Sequence, residues 1–118
     1  MMALAGSRIL VVEDEPIVAM CLEDMLEGFG CAIVGPAGRL IEGIALAENE
    51  ALDAAVLDVN LGGDRSYPIA DILARRGIPF VFATGYGALH ESAQPAPLIE
   101  KPYREVDVEA ALTALLAR

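Results

Sequence analysis

The sequence predicts an α/β fold in which a parallel β-sheet is covered by helices on both faces. Short apolar segments alternate along the chain with longer amphipathic segments, which is the pattern of repeated strand and helix units. The short segments are apolar at almost every position, as strands are when both faces of a sheet are buried. The 118 residues have the length of one domain built around one core.

Five segments have the composition of buried strands: residues 8–12, 31–35, 53–57, 79–83 and 98–100. Each is short and rich in aliphatic residues or phenylalanine, and each is followed by a polar residue or proline. Because parallel strands need crossover connections, we expect helices between them and a right-handed path for each crossover.

The first helix is predicted to begin at Pro16, since the first helical turn tolerates proline, and to stop at Gly28 and Gly30. Helical spacing of apolar residues then predicts a second helix over residues 39–50. Both helices carry one apolar face, which we expect to pack on the sheet.

A third helix is predicted after a loop that Gly62 and Gly63 would make mobile, with Ser66 as its cap and Gly77 as its end. Residues 85–97 contain two glycines and two prolines, so we expect at most a short or mobile helix there. A closing amphipathic helix follows the last strand, and its apolar face consists of Val108, Leu112, Leu115 and Leu116.

The charge of the chain excludes several classes of partner. Eighteen acidic and eight basic residues give a net charge of -10, which repels nucleic-acid backbones and anionic lipid headgroups, so we expect no nucleic acid or membrane partner. Residues 1–6 are too few for a signal peptide and no apolar run is long enough to span a membrane, so we expect a cytoplasmic location.

Polar residues follow four of the predicted strands: Glu13, Asp14, Asp58, Thr84 and Lys101, the last being the only lysine. In parallel sheets the carboxyl ends of the strands form the ligand site, so we expect these side chains to lie together. Three carboxylates at about 5 Å would repel by about 3 kcal/mol per pair at an effective dielectric constant near 20. A cation is therefore implied, and oxygen ligands suit Mg²⁺ or Mn²⁺.

A carboxylate beside such a cation can attack a phosphoryl group, which makes Asp58 a candidate for an aspartyl phosphate. Asn60 can offer its backbone carbonyl to the metal, while Thr84 and Lys101 can bind phosphoryl oxygens through a hydroxyl and an ammonium group. Each residue alone has an ordinary structural explanation, such as a helix terminus, a turn or a solvated surface. Their coincidence at one edge of the sheet favours the functional interpretation.

These motifs, in this order, resemble the CheY-like receiver domains of two-component response regulators. The matching segments are residues 9–15, 56–61, 82–85 and 101–102, and Phe-Ala-Thr-Gly at 82–85 further resembles a bacterial subfamily named for that motif. The resemblance implies a doubly wound, flavodoxin-like (βα)5 sandwich of three layers with five parallel strands in the order 2-1-3-4-5.

The resemblance also implies the role of each site residue. Glu13, Asp14 and Asp58 would hold the metal with the Asn60 carbonyl, and Asp58 would be the phosphoacceptor. Thr84 would be the switch hydroxyl and Lys101 the base that pairs with the phosphoryl group. The donor would be a sensor histidine kinase or a histidine phosphotransfer protein.

Two positions depart from the family pattern: Gly62 replaces a usual proline, and Leu98 replaces the usual switch aromatic. The coupling of Thr84 to an aromatic side chain is therefore open. Phosphorylation is predicted to act instead by drawing Thr84 toward the phosphoryl group and ordering residues 85–97. Tyr86 can gate water, pack on a kinase, or be an ordinary exposed tyrosine.

We therefore expect one receiver domain over residues 1–118, without an output domain, that switches the binding of a downstream protein. It would not be an enzyme beyond slow self-dephosphorylation. One alternative is a Mg²⁺-dependent phosphohydrolase with an aspartyl-phosphate intermediate, although such enzymes resemble a pattern with the nucleophile on the first strand. The other alternative is a receiver that docks a partner without phosphorylation.

Overall fold

A computed structural model describes residues 4–85 and 96–117 of the chain. Within these ranges the elements follow one another as β1 (Arg8–Val12), α1 (Pro16–Gly28), β2 (Ala32–Ala37), α2 (Leu40–Asn49), β3 (Ala54–Asp58), β4 (Asn60–Leu61), β5 (Asp64–Arg65), α3 (Tyr67–Arg75), β6 (Phe80–Thr84), β7 (Leu98–Glu100) and α4 (Glu105–Leu116). The five predicted strands correspond to β1, β2, β3, β6 and β7. The short strands β4 and β5 were not expected from the sequence.

The five main strands form one parallel sheet in the order β2-β1-β3-β6-β7. This order confirms the predicted 2-1-3-4-5 arrangement once the two short strands are set aside. The chain moves outward from β1 in one direction to β2 and in the other direction through β3. The gap between the carboxyl ends of β1 and β3 is therefore the switch point, where ligands bind in such sheets.

The sheet is covered on both faces, as predicted. Ile9 and Val11 of β1 pack with α1 and α4 in one cluster, whereas Leu10 and Val12 pack with α2 and α3 in the other. This alternation follows from the twofold repeat of side-chain direction along a strand. Apolar side chains therefore pack on both faces of the sheet, and the polar residues that follow the strands lie at its carboxyl edge.

The Gly62–Gly63 pair forms a tight turn instead of the predicted mobile loop. It joins β4 to β5 in an antiparallel hairpin, with φ of +57° at Gly62 and +103° at Gly63. Two-residue hairpin turns favour positive φ at both central positions, because that backbone twist matches the twist of the strands. Glycine adopts these angles without strain, which explains why the hairpin closes here.

Ser66 occupies the N-cap position of α3, but its side chain makes no capping hydrogen bond. Its backbone has ψ of 6° rather than the extended conformation that directs a capping hydroxyl toward the helix. The Ser66 carbonyl accepts hydrogen bonds from the N–H groups of Ile69 and Ala70. The predicted cap residue is therefore correctly placed, but its side chain does not cap.

The short or mobile helix expected within residues 85–97 falls largely on residues 86–95, which lie outside the described residues, as does Tyr86. Among the helices of the described ranges, none has the length and apolar character needed to cross a lipid bilayer.

Candidate functional site

The structure brings three predicted carboxylates together at the switch point. Val12 pairs with Leu57 in the β1–β3 ladder, so the next residues, Glu13 and Asp58, stand side by side. One carboxylate oxygen from each of Glu13, Asp14 and Asp58 lies within 4.8 Å of the others. Glu13 is only 3% exposed and Asp58 4%, so water offsets little of their repulsion.

Lys101 enters this cluster from the end of β7. Its Nζ donates hydrogen bonds to Glu13 Oε1 and to Asp58 Oδ2, each at 3.1 Å. The backbone N–H of Lys101 donates to the carbonyl of Thr84 at 2.8 Å, which ties the end of β7 to the end of β6. One ammonium group therefore faces three carboxyl groups, and the charge of the cluster is only partly balanced.

Burial is the main cause of the altered proton affinity in this cluster. It raises the pKa of Glu13 from 4.5 to about 7, and the neighbouring Asp58 adds to the rise while Lys101 opposes it. Burial alone would lower the pKa of Lys101, but hydrogen bonds and charge from Glu13 and Asp58 outweigh it and raise that pKa above 10.5. The lysine therefore stays charged, and Glu13 tends to keep a proton near neutral pH.

Thr84 ends β6 beside this cluster and is buried. Asp58 pairs with Ala83 in the β3–β6 ladder, so the following residue, Thr84, reaches the same edge as the carboxylates. Leu98 lies farther back on β7, paired with Phe82, and is 41% exposed. The structure thus brings Thr84 to the site, whereas Leu98 is not among the residues that line the site cavity.

A cavity of about 820 Å³ opens onto the acidic cluster. Asp14, Asp58, Thr84 and Lys101 line it, together with Asn60 of the β4–β5 hairpin. The available donors are carboxylate oxygens and a backbone carbonyl, a set that fits a hard cation such as Mg²⁺ or Mn²⁺. The cavity is large enough for a phosphoryl group beside such a cation.

Sequence reasoning missed Arg65. Its Nη1 donates a hydrogen bond of 2.7 Å to Asn60 Oδ1 across the β4–β5 hairpin, and the Asn60 N–H donates to Asp58 Oδ1 at 3.4 Å. A Cβ at Gly62 would lie 3.8 Å from Asp14 Oδ2, so the turn itself lies against the acidic cluster. The Gly-Gly pair was the signal, because a two-residue turn there pairs residue 60 with residue 65.

Tyr103 was also missed. It lines the cavity, is 9% exposed, and its hydroxyl has no hydrogen-bond partner among the described residues. Burial is the main cause that raises the pKa of this hydroxyl above its usual value near 10, followed by the charges of Glu13 and Asp58 and by the nearness of the Glu13 carboxyl group, which lies outside good hydrogen-bond geometry. Tyr103 therefore remains a neutral donor beside the carboxylates.

The family model of the response regulator receiver domain matches residues 9–112. The chain belongs to the response regulator receiver family. The CheY-like resemblance and the expected receiver fold are thus confirmed.

Named relatives of this receiver are regulators. It is 32% identical over 117 residues to the phyllosphere-induced regulator PhyR of Methylorubrum extorquens, covering 94% of this chain and 44% of PhyR. It is 32% identical over 122 residues to the transcriptional regulatory protein PdtaR of Mycobacterium tuberculosis, covering 98% of this chain and 60% of PdtaR. The receiver therefore spans about half the length of these relatives.

The solution structure of SdrG from Sphingomonas melonis Fr1 is similar over its whole length. Its sequence is 45% identical to this receiver, the TM-score is 0.83, and the comparison covers 98% of this chain and 99% of SdrG. The two chains are therefore similar over nearly the whole length of each.

Proposed function

We propose that this receiver is a phosphoacceptor of a two-component phosphorelay and that Asp58 is the residue phosphorylated. One observation carries the proposal: Glu13, Asp14 and Asp58 cluster at the switch point of the sheet, with Glu13 and Asp58 buried and Lys101 hydrogen-bonded to Asp58. Structural stability alone does not explain such a cluster, because two buried acidic groups and a third beside them face one ammonium group.

In the proposed reaction an Asp58 oxygen attacks the phosphorus of a phosphohistidine on a sensor histidine kinase or a phosphotransfer protein. The new oxygen–phosphorus bond forms as the nitrogen–phosphorus bond breaks, and the imidazole leaves with the electron pair of that bond. Glu13, Asp14, Asp58 and the Asn60 carbonyl would hold Mg²⁺, or Mn²⁺ in its place. The metal supplies positive charge that offsets the phosphoryl oxygens.

Lys101 and Thr84 are proposed to bind the phosphoryl oxygens once Asp58 carries them. Lys101 already contacts Asp58 Oδ2 at 3.1 Å, so a small movement brings its ammonium group to the added phosphate. That movement takes the ammonium group away from Glu13 and leaves the Glu13 carboxylate to the metal. Phosphorylation would thus break the ion pair of Lys101 with Glu13 and form an ion pair of Lys101 with the phosphoryl group.

The response is proposed to spread from Thr84 into the segment that follows β6 and to change the binding of a downstream protein. Leu98 supplies no aromatic ring on β7, so we propose that the coupling acts through ordering of residues 85–97, where Tyr86 can gate water or pack on a kinase. Amide hydrogen exchange with and without a beryllofluoride mimic tests this idea. Unchanged protection across residues 85–97 would contradict it.

We also propose that residues 1–118 act as one receiver domain in the cytoplasm, with protein partners only. The net charge of -10 supports this, because it disfavours direct contact with nucleic acid and with anionic membranes. The proposed role is not that of an enzyme, apart from slow loss of the receiver's own phosphoryl group.

Intact mass spectrometry after incubation with Mg²⁺ and acetyl phosphate tests the phosphoacceptor proposal. The wild type should gain the mass of one phosphoryl group, and Asp58→Asn should gain none. Asp24→Asn, which changes an exposed aspartate of α1, is the matched control and should behave as the wild type. Rapid multiple turnover of phosphomonoesters would instead indicate the hydrolase, and no gain in any variant would indicate the docking receiver.

A further inference from the structure

We propose that Arg65 is a positioning residue that lengthens the lifetime of the aspartyl phosphate by fixing the side-chain amide of Asn60. The inference rests on the proposed role of Asp58. Arg65 is the cationic residue, besides Lys101, among the described residues that line the cavity. Unlike Lys101, it makes its short contact to an amide and not to a carboxylate.

The hairpin places Arg65 directly opposite Asn60. Asn60 and Arg65 are directly paired across β4 and β5, and the positive φ angles of Gly62 and Gly63 fix that register. The Arg65 Nη1 to Asn60 Oδ1 distance of 2.7 Å is that of a strong, charge-assisted hydrogen bond. The register therefore brings the guanidinium group within reach of the amide oxygen, and the hydrogen bond joins them.

Asn60 is held from its backbone as well. Its N–H donates to Asp58 Oδ1 at 3.4 Å, so the residue that Arg65 fixes is itself in contact with the phosphoacceptor. Asn60 also lines the cavity in which the phosphoryl group would lie. A change in the orientation of its amide therefore changes which hydrogen-bonding group lies beside Asp58.

The two ends of an asparagine amide have opposite chemistry. The oxygen accepts hydrogen bonds and can align a water molecule, whereas the NH₂ group only donates. A guanidinium group has donors only, so Arg65 can bind the oxygen and not the nitrogen. While Arg65 holds Oδ1 on its own side through one of the two lone pairs, the amide can offer its NH₂ group to phosphoryl oxygens and cannot turn its oxygen toward an attacking water.

Hydrolysis of the aspartyl phosphate needs such a water. The water oxygen bonds to phosphorus as the bond from phosphorus to the Asp58 oxygen breaks, and this releases the Asp58 carboxylate and inorganic phosphate. The proton lost by the water passes to the phosphate or to solvent. Removal of Arg65 frees the Asn60 amide to turn Oδ1 toward this water, to accept a hydrogen bond from it and to align it.

The test uses protein phosphorylated with acetyl phosphate and Mg²⁺, then freed of the donor and followed by intact mass. Arg65→Ala should lose its phosphoryl group about three- to tenfold faster than the wild type, the range expected for one hydrogen bond. Arg75→Ala removes an exposed arginine from the last turn of α3, at the opposite edge of the sheet, and should decay at the wild-type rate.

The double variant separates positioning from charge. If Arg65 acts through Asn60, Arg65→Ala should change nothing further in an Asn60→Ala background. Equal decay in Arg65→Ala and the wild type, slower decay, or an equally large effect in the Asn60→Ala background would overturn this inference alone. A wild type that never gains a phosphoryl group would overturn the proposed function, and this inference with it.

Discussion

The two edges of the parallel sheet carry ion pairs of equal length in very different surroundings. At the amino edge, Arg8 Nη2 lies 3.1 Å from Glu50 Oε1, and the two side chains are 43% and 40% exposed. At the carboxyl edge, Lys101 Nζ lies 3.1 Å from oxygens of both Glu13 and Asp58, with side chains that are 13%, 0% and 6% exposed.

The two sets of ion pairs differ in how much water surrounds them. Water solvates both members of the exposed pair, so their attraction adds little to the free energy of unfolding. Glu13 and Asp58 have lost that water, and together with Asp14 they outnumber the one ammonium group of Lys101, so we expect the cluster to depend on Lys101 and on an added cation. The account therefore places stability in the apolar layers and chemistry at the carboxyl edge.

Replacement of Lys101 should give the largest effect. Lys101→Ala leaves the buried carboxylates without a cation, so the free energy of unfolding without metal should fall by about 3 kcal/mol, with part of it restored by Mg²⁺. The variant should still fold and bind Mg²⁺, but the conformational response to beryllofluoride should be lost. Chemical denaturation and NMR measure the two effects, and a normal response would contradict the assigned role.

The second largest effect should be that of pH on the free energy of unfolding of the metal-free protein. The pKa of Glu13 is raised from 4.5 to about 7, so the folded state keeps a proton that the unfolded state releases. This contribution to stability is complete below about pH 4.5 and is lost as the pH rises through about 7. Denaturation midpoints should therefore fall between pH 5.5 and pH 8.

Glu13→Gln provides the control for this prediction, because it removes the titrating group and should flatten the decline. Mg²⁺ should have the opposite dependence and bind more tightly as the pH rises, since its carboxylate ligands must be deprotonated. A decline of the same size in Glu13→Gln would assign the effect to other groups.

Tyr103→Phe should give a smaller effect. The buried hydroxyl has no partner among the described residues, and a buried polar group without a hydrogen bond costs about 1 kcal/mol or more. Removal of the hydroxyl should therefore leave the metal-free protein as stable as the wild type, or about 1 kcal/mol more stable. A clear loss of stability in urea denaturation would show that the hydroxyl makes a favourable contact.

Arg8→Ala should give the smallest effect. It removes the exposed pair with Glu50 and the exposed hydrogen bond from Arg8 Nε to the Ala51 carbonyl, both at the amino edge, and we expect a loss of about 1 kcal/mol because water replaces both contacts. Because this edge lies away from the acidic cluster, Mg²⁺ affinity should not change. If Arg8→Ala destabilised the protein as much as Lys101→Ala does, the contrast between the two edges would be wrong.

Much of this contrast could be predicted from the sequence. Aliphatic strands followed by Glu13, Asp58, Thr84 and Lys101 determine which side chains meet, because parallel strands place their carboxyl ends at one edge. The strand order came from the family resemblance, and the structure confirms it. The pattern of apolar residues was sufficient to predict the five main strands, because burial on both faces of the sheet determines their composition.

The interactions that were missed depend on tertiary geometry. Pairing of Asn60 with Arg65 depends on the register set by the Gly62–Gly63 turn, which was interpreted as mobility and not as a hairpin. Burial of Tyr103 depends on how the chain after β7 folds over the acidic cluster. Neither arrangement leaves a periodic signal in the sequence, since each arises from a single contact between two elements.

Dependence of Asp58 phosphorylation on Mg²⁺ tests the central claim most directly. Wild-type protein is incubated with acetyl phosphate, with Mg²⁺ or with a chelator, and the phosphorylated residue is located by peptide mass spectrometry. The account predicts one phosphoryl group on Asp58 with Mg²⁺ and almost none with the chelator. Equal phosphorylation in both conditions, or a phosphoryl group on a residue outside the cluster, would contradict it.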